Sequence, residues 1–207
     1  MCVNCKPLIK AIDAYIQKAD SNLSDELEER GFLEPEKTVE YIQDIEGEVA
    51  AALLEETDYI LSEAEKAVDL ETFAEDIWSE VKLNDTVKDK LVTVFTESFD
   101  KFMPEFVEYY IAQTDKELKL AQVSKRTTEW IKNWSKDLGG VMKLNSHTEI
   151  ERILEKGLKE GKGVAEFTRE ILDSGIRDEY YKARRVAVTE VLRAHSVAQQ
   201  EEFMQSP

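Results

Sequence analysis

The sequence predicts an all-α protein: a bundle of long amphipathic helices with a smaller helical C-terminal subdomain. Apolar residues recur three and four positions apart over most of the 207 residues, which is the spacing of one helix face. Only eight glycines and four prolines interrupt these runs, and an all-β chain needs many more turns. Eight phenylalanines, seven tyrosines and three tryptophans can fill the core of one domain or two small ones.

The first half is expected to contain four amphipathic helices. A polar stretch after the first of them ends at Gly31 and Pro35, where one helix stops and the next begins. Pro104 lacks an N–H and disfavours a helical residue before it, so it should break or kink the fourth helix before the pattern resumes. The four helices are predicted over residues 6–19, 36–67, 69–82 and 85–103.

The second half is expected to contain shorter helices and one final long one. Thr127 or Thr128 can cap the first, and Gly139-Gly140 should end it. Ser146 and Glu149 have the spacing of a capping box that opens the next helix. Breaks are then expected at Gly161-Gly163 and at Gly175, and the last helix is predicted over residues 177–204.

Charge divides the chain into two predicted domains. Residues 1–100 carry 26 acidic and 9 basic side chains, whereas residues 101–207 carry 18 of each, so the net charge of −17 resides in the first half. The weakly patterned stretch 113–126 marks the change. We therefore predict an acidic helical domain over residues 1–118 and a second helical domain over residues 119–207.

The acidic half argues against a dedicated DNA-binding protein, because nonspecific binding needs Lys and Arg to neutralise phosphates. A well-solvated helical surface explains these acids, and a basic protein partner is the alternative. No apolar run approaches the ~20 residues that span a bilayer. The N-terminal "MCVNCKPLIKAID" lacks the apolar core of a signal peptide. We expect no membrane association, and a protein that stays in the cytoplasm or is built into a particle there.

Cys2 and Cys5 form a CxxC pair, which is half of a zinc site. Structural zinc needs four ligands, and the chain has no second CxxC and only two separated histidines, His147 and His195. A metal-free terminus is the simpler interpretation, and a half-site completed by another chain is the alternative. We expect no cofactor.

No catalytic motif is present: the sequence lacks GxSxG, HExxH and a P-loop. Abundant helix-surface carboxylates do not make an acid–base pair, because nothing in the pattern brings two of them together in a buried place. His147 follows a predicted cap and should be exposed. We predict that the protein is not an enzyme.

The segment "RRVAVTEVLRAHS", residues 184–196, concentrates polar groups on one predicted helix. Arg185, Thr189 and Arg193 share a stripe, and Glu190 lies one turn before Arg193. Exposed ion pairs of this kind contribute only ~0.3–0.5 kcal/mol to stability. A gain in stability from exposed pairs therefore does not explain why so many polar residues occur in this segment. Two interpretations remain: a buried polar clamp between helices, or a contact surface for a partner protein or phosphate through these arginines with Lys182 and Arg184.

The second half resembles phage head-morphogenesis proteins of the Mu F-like, minor head protein family. The similar stretches are "GLKEGKGVAEFTREILDSG" and "YYKARRVAVTEVLRAHSVAQQEEF", and the resemblance covers about residues 127–204. Val188, Ser196 and Ala198 stand where the family usually has arginine, asparagine and glycine. Positions that match the family pattern are Gly161, Glu166, Ile171, Ala183, Val186, Ala187, Thr189, Glu190, Arg193 and Ala194.

The resemblance implies a minor structural protein of a tailed-phage or prophage head. Its expected place is the virion or procapsid interior, after assembly in the host cytoplasm. Its expected partners are the portal protein and other capsid proteins. An indirect association with phage DNA and self-association into a homo-oligomer are further expectations. Family members commonly continue beyond this helix, so a shortened C-terminus is an expectation as well. A cytoplasmic helical adaptor for a basic protein is the alternative function, and a noncatalytic module fused to an enzyme is a third.

Overall fold

The computed structural model describes residues 19–114 and 123–205, without the side chains of residues 114, 174–181 and 205. The described part is almost entirely helical and contains no strand, which confirms the predicted all-α class. A π-helical turn, Phe73–Ile77, joins two of the short helices. The helices are α1 (residues 19–29), α2 (Pro35–Ala64), α3 (Leu70–Thr72), α4 (Trp78–Leu83), α5 (Thr86–Thr114), α6 (Lys125–Glu160) and α7 (Val164–Gln205).

Four long helices, α2, α5, α6 and α7, form the bundle. Helix α2 packs against α7 and α5, and α5 also packs against α6 and α7. The larger core cluster centres on α5, whose buried phenylalanines recur at the spacing of one helix face. A second cluster lies around Phe73, Trp78 and Phe167. Both clusters contain residues from either side of the predicted boundary near residue 118, so the two segments share their cores.

Pro104 does not end α5, which continues to Thr114. Of the break or kink that was predicted, the break is wrong, and the kink stays a prediction. The buried stripe is uninterrupted, because Phe102 and Phe106 on either side of the proline are at most 1% exposed. Pro104 itself is exposed, so the carbonyl of Asp100 that loses its N–H partner is on the solvent side. Packing of the aromatic face therefore outweighs one missing hydrogen bond.

Gly139 and Gly140 also lie inside a helix, because α6 runs from Lys125 to Glu160 without a stop. Gly139 lies where α6 closely approaches the backbone of α5. A Cβ atom there would lie 2.9 Å from Cγ2 of Val92 and 3.0 Å from the backbone oxygen of Lys88. The glycine that looked like a helix terminator thus serves close helix packing.

Two further positions that were predicted as helix boundaries lie in the interior of helices. Ser146 and Glu149 lie in the middle of α6 and cap nothing, and Gly175 lies within α7. The break at Gly161 is confirmed: Gly161 ends α6 with φ of 68°, a left-handed conformation that favours glycine. The N-cap of α6 is Ser124, whose side chain accepts from the backbone N–H of Thr127 at 3.3 Å, in place of the predicted Thr127 or Thr128.

The glycine pair provides a matched test of this packing. Gly139→Ala should lower the free energy of unfolding by about 1–3 kcal/mol, because its methyl group meets a backbone oxygen that cannot move away alone. Gly140→Ala should raise it by about 0.5–1 kcal/mol, since nothing lies within 4 Å and alanine favours the helix. Urea unfolding of both variants measures the difference. Equal changes in the two variants would contradict the close approach at Gly139.

Candidate functional site

Glu190 is the centre of a polar cluster between α6 and α7. Its side chain is buried, and its Oε2 accepts the indole N–H of Trp134 at 2.5 Å. Arg193 Nε lies 3.6 Å from the same oxygen, and the Arg193 guanidinium carbon lies 4.1 Å from the centre of the Trp134 ring. Three side chains thus contact one another in a closed triangle, which is the arrangement expected of a packing clamp.

Burial raises the pKa of Glu190, and the hydrogen bond from Trp134 and the charge of Arg193 oppose that rise. The carboxyl group is therefore held at a cost in desolvation. The hydrogen bond from Trp134 and the charge of Arg193 offset part of this desolvation cost. Removing either partner would leave more of the cost uncompensated.

Arg185 and Thr189 lie outside this clamp. Both residues are exposed, and the Thr189 hydroxyl donates to the backbone oxygen of Arg185 at 2.7 Å, one turn earlier. Of the four predicted clamp residues, the structure brings together Glu190 and Arg193 and places the other two on the wall of a cleft.

The two residues predicted as a basic contact, Lys182 and Arg184, are paired within the chain. Lys182 contacts Glu149 of α6. Arg184 donates to Glu46 of α2 at 2.8 Å and contacts Asp20 of α1, so it joins three helices. These pairs favour a packing role for Arg184, whereas Lys182, whose side chain is 42% exposed, forms a surface ion pair.

His195 is a buried residue whose role the sequence did not indicate. Its Nε2 is 2.8 Å from the hydroxyl of Thr38, which itself donates to the Glu34 carbonyl at 3.0 Å. The ring proton is therefore assigned to Nε2, and Nδ1 accepts the Tyr110 hydroxyl at 3.3 Å. The ring stacks on Phe106 with 3.7 Å between centroids. Burial lowers the pKa of His195 to about 4.

His147 is also buried, so the expectation that it is exposed was wrong. Its Nε2 lies 2.7 Å from Oε1 of Glu56 on α2, and its ring packs against Trp78. The predicted cap that suggested exposure does not exist, because α6 is continuous there. The inward face of that continuous helix carries His147 into contact with α2.

Glu201, near the end of α7, closes the beginning of α6. Its carboxylate accepts the backbone N–H of Ser124 at 3.1 Å and the Ser124 hydroxyl at 2.9 Å, and it also contacts the Thr127 hydroxyl. A negative charge at a helix N-terminus is favourable for both the free N–H groups and the helix dipole. The end of one helix thus caps the start of another.

A cleft of about 320 Å³ opens between α6 and α7 above α2. Leu53 and Thr57 of α2 form its floor, and α6 and α7 form its walls. The α7 wall carries most of the predicted site: Lys182, Arg185, Thr189 and Glu190. The segment singled out by its polar composition is therefore both a packing element, through Glu190, and the wall of an open cleft.

Among residues 19–114 and 123–205, no group of three or more His, Cys, Asp or Glu side chains is placed to hold a metal ion. Cys2 and Cys5 lie outside the described residues, so the zinc half-site stays a prediction. No helix in the same described ranges is long and apolar enough to cross a membrane.

Trp134 and His195 were missed as members of polar networks because their partners are distant in sequence. Trp134 lies 56 positions from Glu190, and His195 lies 157 positions from Thr38. A partial signal existed: tryptophan carries an N–H that usually finds an acceptor when it is buried. Predicting that this N–H pairs with Glu190 would have required knowing how α6 packs against α7.

Comparison with known proteins gives one relative without a stated activity. The chain is 28% identical over 213 residues to a Bacillus subtilis (strain 168) protein named "Uncharacterized protein YqbB". The similarity covers 97% of this chain and 68% of the Bacillus protein. The similarity therefore extends across the predicted domain boundary near residue 118, from the acidic first half into the second half, where acidic and basic residues balance. No family model and no solved structure matches the chain.

The clamp can be tested by removing its central acid. Glu190→Ala should lower the free energy of unfolding by about 2–4 kcal/mol, because it removes a buried side chain and leaves the N–H of the half-buried Trp134 without its acceptor. Gln200→Ala on the exposed face of α7 is the control and should change it by less than about 0.5 kcal/mol. Thermal or urea unfolding gives both values. A Glu190→Ala variant as stable as the control would exclude the clamp.

His195 should make the fold sensitive to mild acid. Above pH ~6.5 the histidine is neutral in both states. As the pH falls from ~6.5 towards 4, the unfolded chain binds a proton that the folded chain refuses, so the free energy of unfolding should fall by up to ~1.4 kcal/mol per pH unit. His195→Gln removes this contribution. Urea unfolding at pH 7, 6 and 5 should show a shallower loss for the variant, and parallel losses would contradict a buried neutral His195.

Proposed function

We propose that the chain is a minor structural head protein of a tailed bacteriophage or prophage, acting in procapsid assembly at or near the portal. The observation that carries the proposal is the ordered run Thr189, Glu190, Arg193 and Ala194 after the Gly161 hairpin, which resembles the Mu F-like pattern. The all-α architecture agrees with it.

The residues that carry the resemblance are also those that pack α7. Ala183, Ala187 and Ala194 are fully buried, and Glu190 and Arg193 form the clamp with Trp134. A pattern of small buried residues with one buried polar contact is typical of a helix that packs closely in a bundle. It supports a shared structural element in the head protein, and it assigns no chemical reaction to the segment.

In this role the protein would contact the portal protein and other capsid proteins inside the procapsid. Its link to DNA packaging or delivery would be indirect, because the acidic first half repels phosphates. Self-association into a homo-oligomer is compatible with a position beside a symmetric portal.

An adaptor for a basic protein, unrelated to phage, is the second candidate. The observation that favours it is the location of the whole net charge of −17 in residues 1–100. The two candidates differ in genomic context: a phage head protein is expected beside genes for a portal and a terminase, and an adaptor is not.

The proposed function predicts a complex with the portal protein encoded by the same genome. Co-expression and affinity purification of the portal at about 150 mM salt should recover this chain in a fixed ratio, whereas the portal of an unrelated phage should not recover it. If a moderate increase in salt is enough to release the chain from the portal, the two proteins are held together only by nonspecific attraction between surface charges. Absence of any complex with the cognate portal would contradict the proposal.

A substitution at an exposed position of α7 can show whether this helix contacts the portal protein or only packs within the bundle. Arg185→Glu reverses a charge on the cleft wall, and Lys132→Glu makes the same change on exposed α6. If α7 contacts the portal, only the Arg185 variant should lose the complex while both keep their thermal stability. Equal retention of the portal by both variants would place the contact elsewhere.

A further inference from the structure

A pocket of about 220 Å³ lies between α2, α4 and the beginning of α5. Its apolar walls are Ala52 of α2, Val81 of α4 and Val87 of α5, and Glu56 of α2 also lines it. This Glu56 pocket is smaller than the ~300 Å³ at which pockets for drug-sized ligands begin. It therefore suits a group about the size of one side chain.

Glu56 contributes a carboxylate oxygen that has no donor. Its side chain is 4% exposed, and its Oε1 lies 2.7 Å from Nε2 of His147. Its Oε2 is one of three buried side-chain oxygens of the described residues that have no hydrogen-bond partner. A buried acceptor without a donor is costly, so a donor placed there gains more than the same bond would in water.

The carboxylate can present this oxygen to the pocket at little cost. The last torsion of a glutamate side chain is soft, unlike the staggered torsions before it. A small turn about that torsion directs Oε2 towards the pocket and keeps Oε1 within reach of His147. The bond between α2 and α6 is thus preserved when a ligand binds.

The charges of the lining favour a cation. Two acids, Glu55 and Glu56, and one base, Lys90, line the pocket, which gives the lining a formal charge of −1. Lys90 forms an ion pair with Glu55, and both residues are exposed. The charge left over is that of Glu56. A neutral ligand would leave this buried charge uncompensated, and an anion would add a second one.

One open oxygen selects an ammonium group over a guanidinium group. A guanidinium binds a carboxylate best through two parallel bonds, one to each oxygen, and His147 already occupies Oε1. An ammonium is a compact charge with three rotatable donors. One donor can take Oε2 of Glu56, and the lining also provides the side-chain oxygens of Tyr59 and Asn84.

We propose that the Glu56 pocket binds a primary alkylammonium group, with the ammonium on Oε2 of Glu56 and the alkyl stem between the apolar walls. A lysine side chain of a partner protein and a free aliphatic amine both carry this chemistry. The net charge of −17 attracts such cations to the chain. The site does not depend on the proposed role in a phage head.

Amide ¹H–¹⁵N NMR of the intact chain tests the site with n-butylammonium at constant ionic strength, which keeps general charge attraction the same throughout. Saturable shifts are expected for the amides of Ala52, Glu56, Val81 and Val87. n-Butyltrimethylammonium has the same charge and stem but no N–H, so it should bind about tenfold more weakly. n-Butylguanidinium should bind several-fold more weakly, because its fork lacks a second acceptor.

Two pairs of variants place the binding in this pocket. Glu56→Gln removes the acceptor and should weaken n-butylammonium binding about tenfold, whereas Glu48→Gln removes an equal charge from exposed α2 and should change it by less than about twofold. Thr86→Phe fills the pocket from the first turn of α5 and should abolish binding. Thr128→Phe, in the first turn of α6, should leave it unchanged. If Glu56→Gln fails to fold, the two threonine variants decide the location.

Competition against n-butylammonium separates the two sources of the ammonium group. Displacement by Nα-acetyl-L-lysine methylamide would assign the pocket to a lysine of a partner protein, because this probe carries peptide groups on both sides. Displacement by 1,4-diaminobutane alone would assign it to a free amine. Failure of both probes to displace n-butylammonium would overturn the proposal.

Four further outcomes would also overturn it. The first is the absence of saturable shifts around the pocket, and the second is equal or tighter binding of n-butyltrimethylammonium or n-butylguanidinium. The third is an equal loss of affinity in Glu56→Gln and Glu48→Gln, which would reduce the effect to the general acidity of the chain. The fourth is binding that survives Thr86→Phe.

Discussion

The close packing of α7 against α2 and α5 determines where the buried polar contacts of α7 lie. Its buried stripe is made of small residues that let the helix backbones approach: Ala183, Ala187, Val191, Ala194 and Ala198 are all fully buried. Polar residues beside this stripe are partly or wholly shielded from water, and the shielded polar atoms need partners on neighbouring helices. Arg184, Glu190 and His195 find those partners on four different helices.

Much of the fold could be predicted from periodicity, and local stop signals were the source of error. The stripe around Phe95, Phe99 and Phe102 identified α5 because those side chains had to share one buried face. Pro104, Gly139 and Gly175 look like terminators in isolation. All three lie within helices, and at Pro104 and Gly139 the buried residues on both sides outweigh a local cost of one hydrogen bond or some backbone entropy.

The candidate site was predictable only in part. Glu190 and Arg193 are one turn apart, so their proximity follows from helix geometry alone. Trp134 completes the cluster from another helix, and His147 is buried by a helix that the sequence appeared to interrupt. Contacts within one helix can be derived from spacing, whereas contacts between helices depend on a packing register that one sequence does not contain.

The capping of α6 by Glu201 joins two parts of the chain that are 77 positions apart. The first turn of α6 and the last turns of α7 share hydrogen bonds, so neither can fray without releasing the other. Their backbone amides should exchange with solvent as one cooperative unit, slower than ordinary helix ends do. The end of α7 is thereby part of the folded unit that holds the beginning of α6.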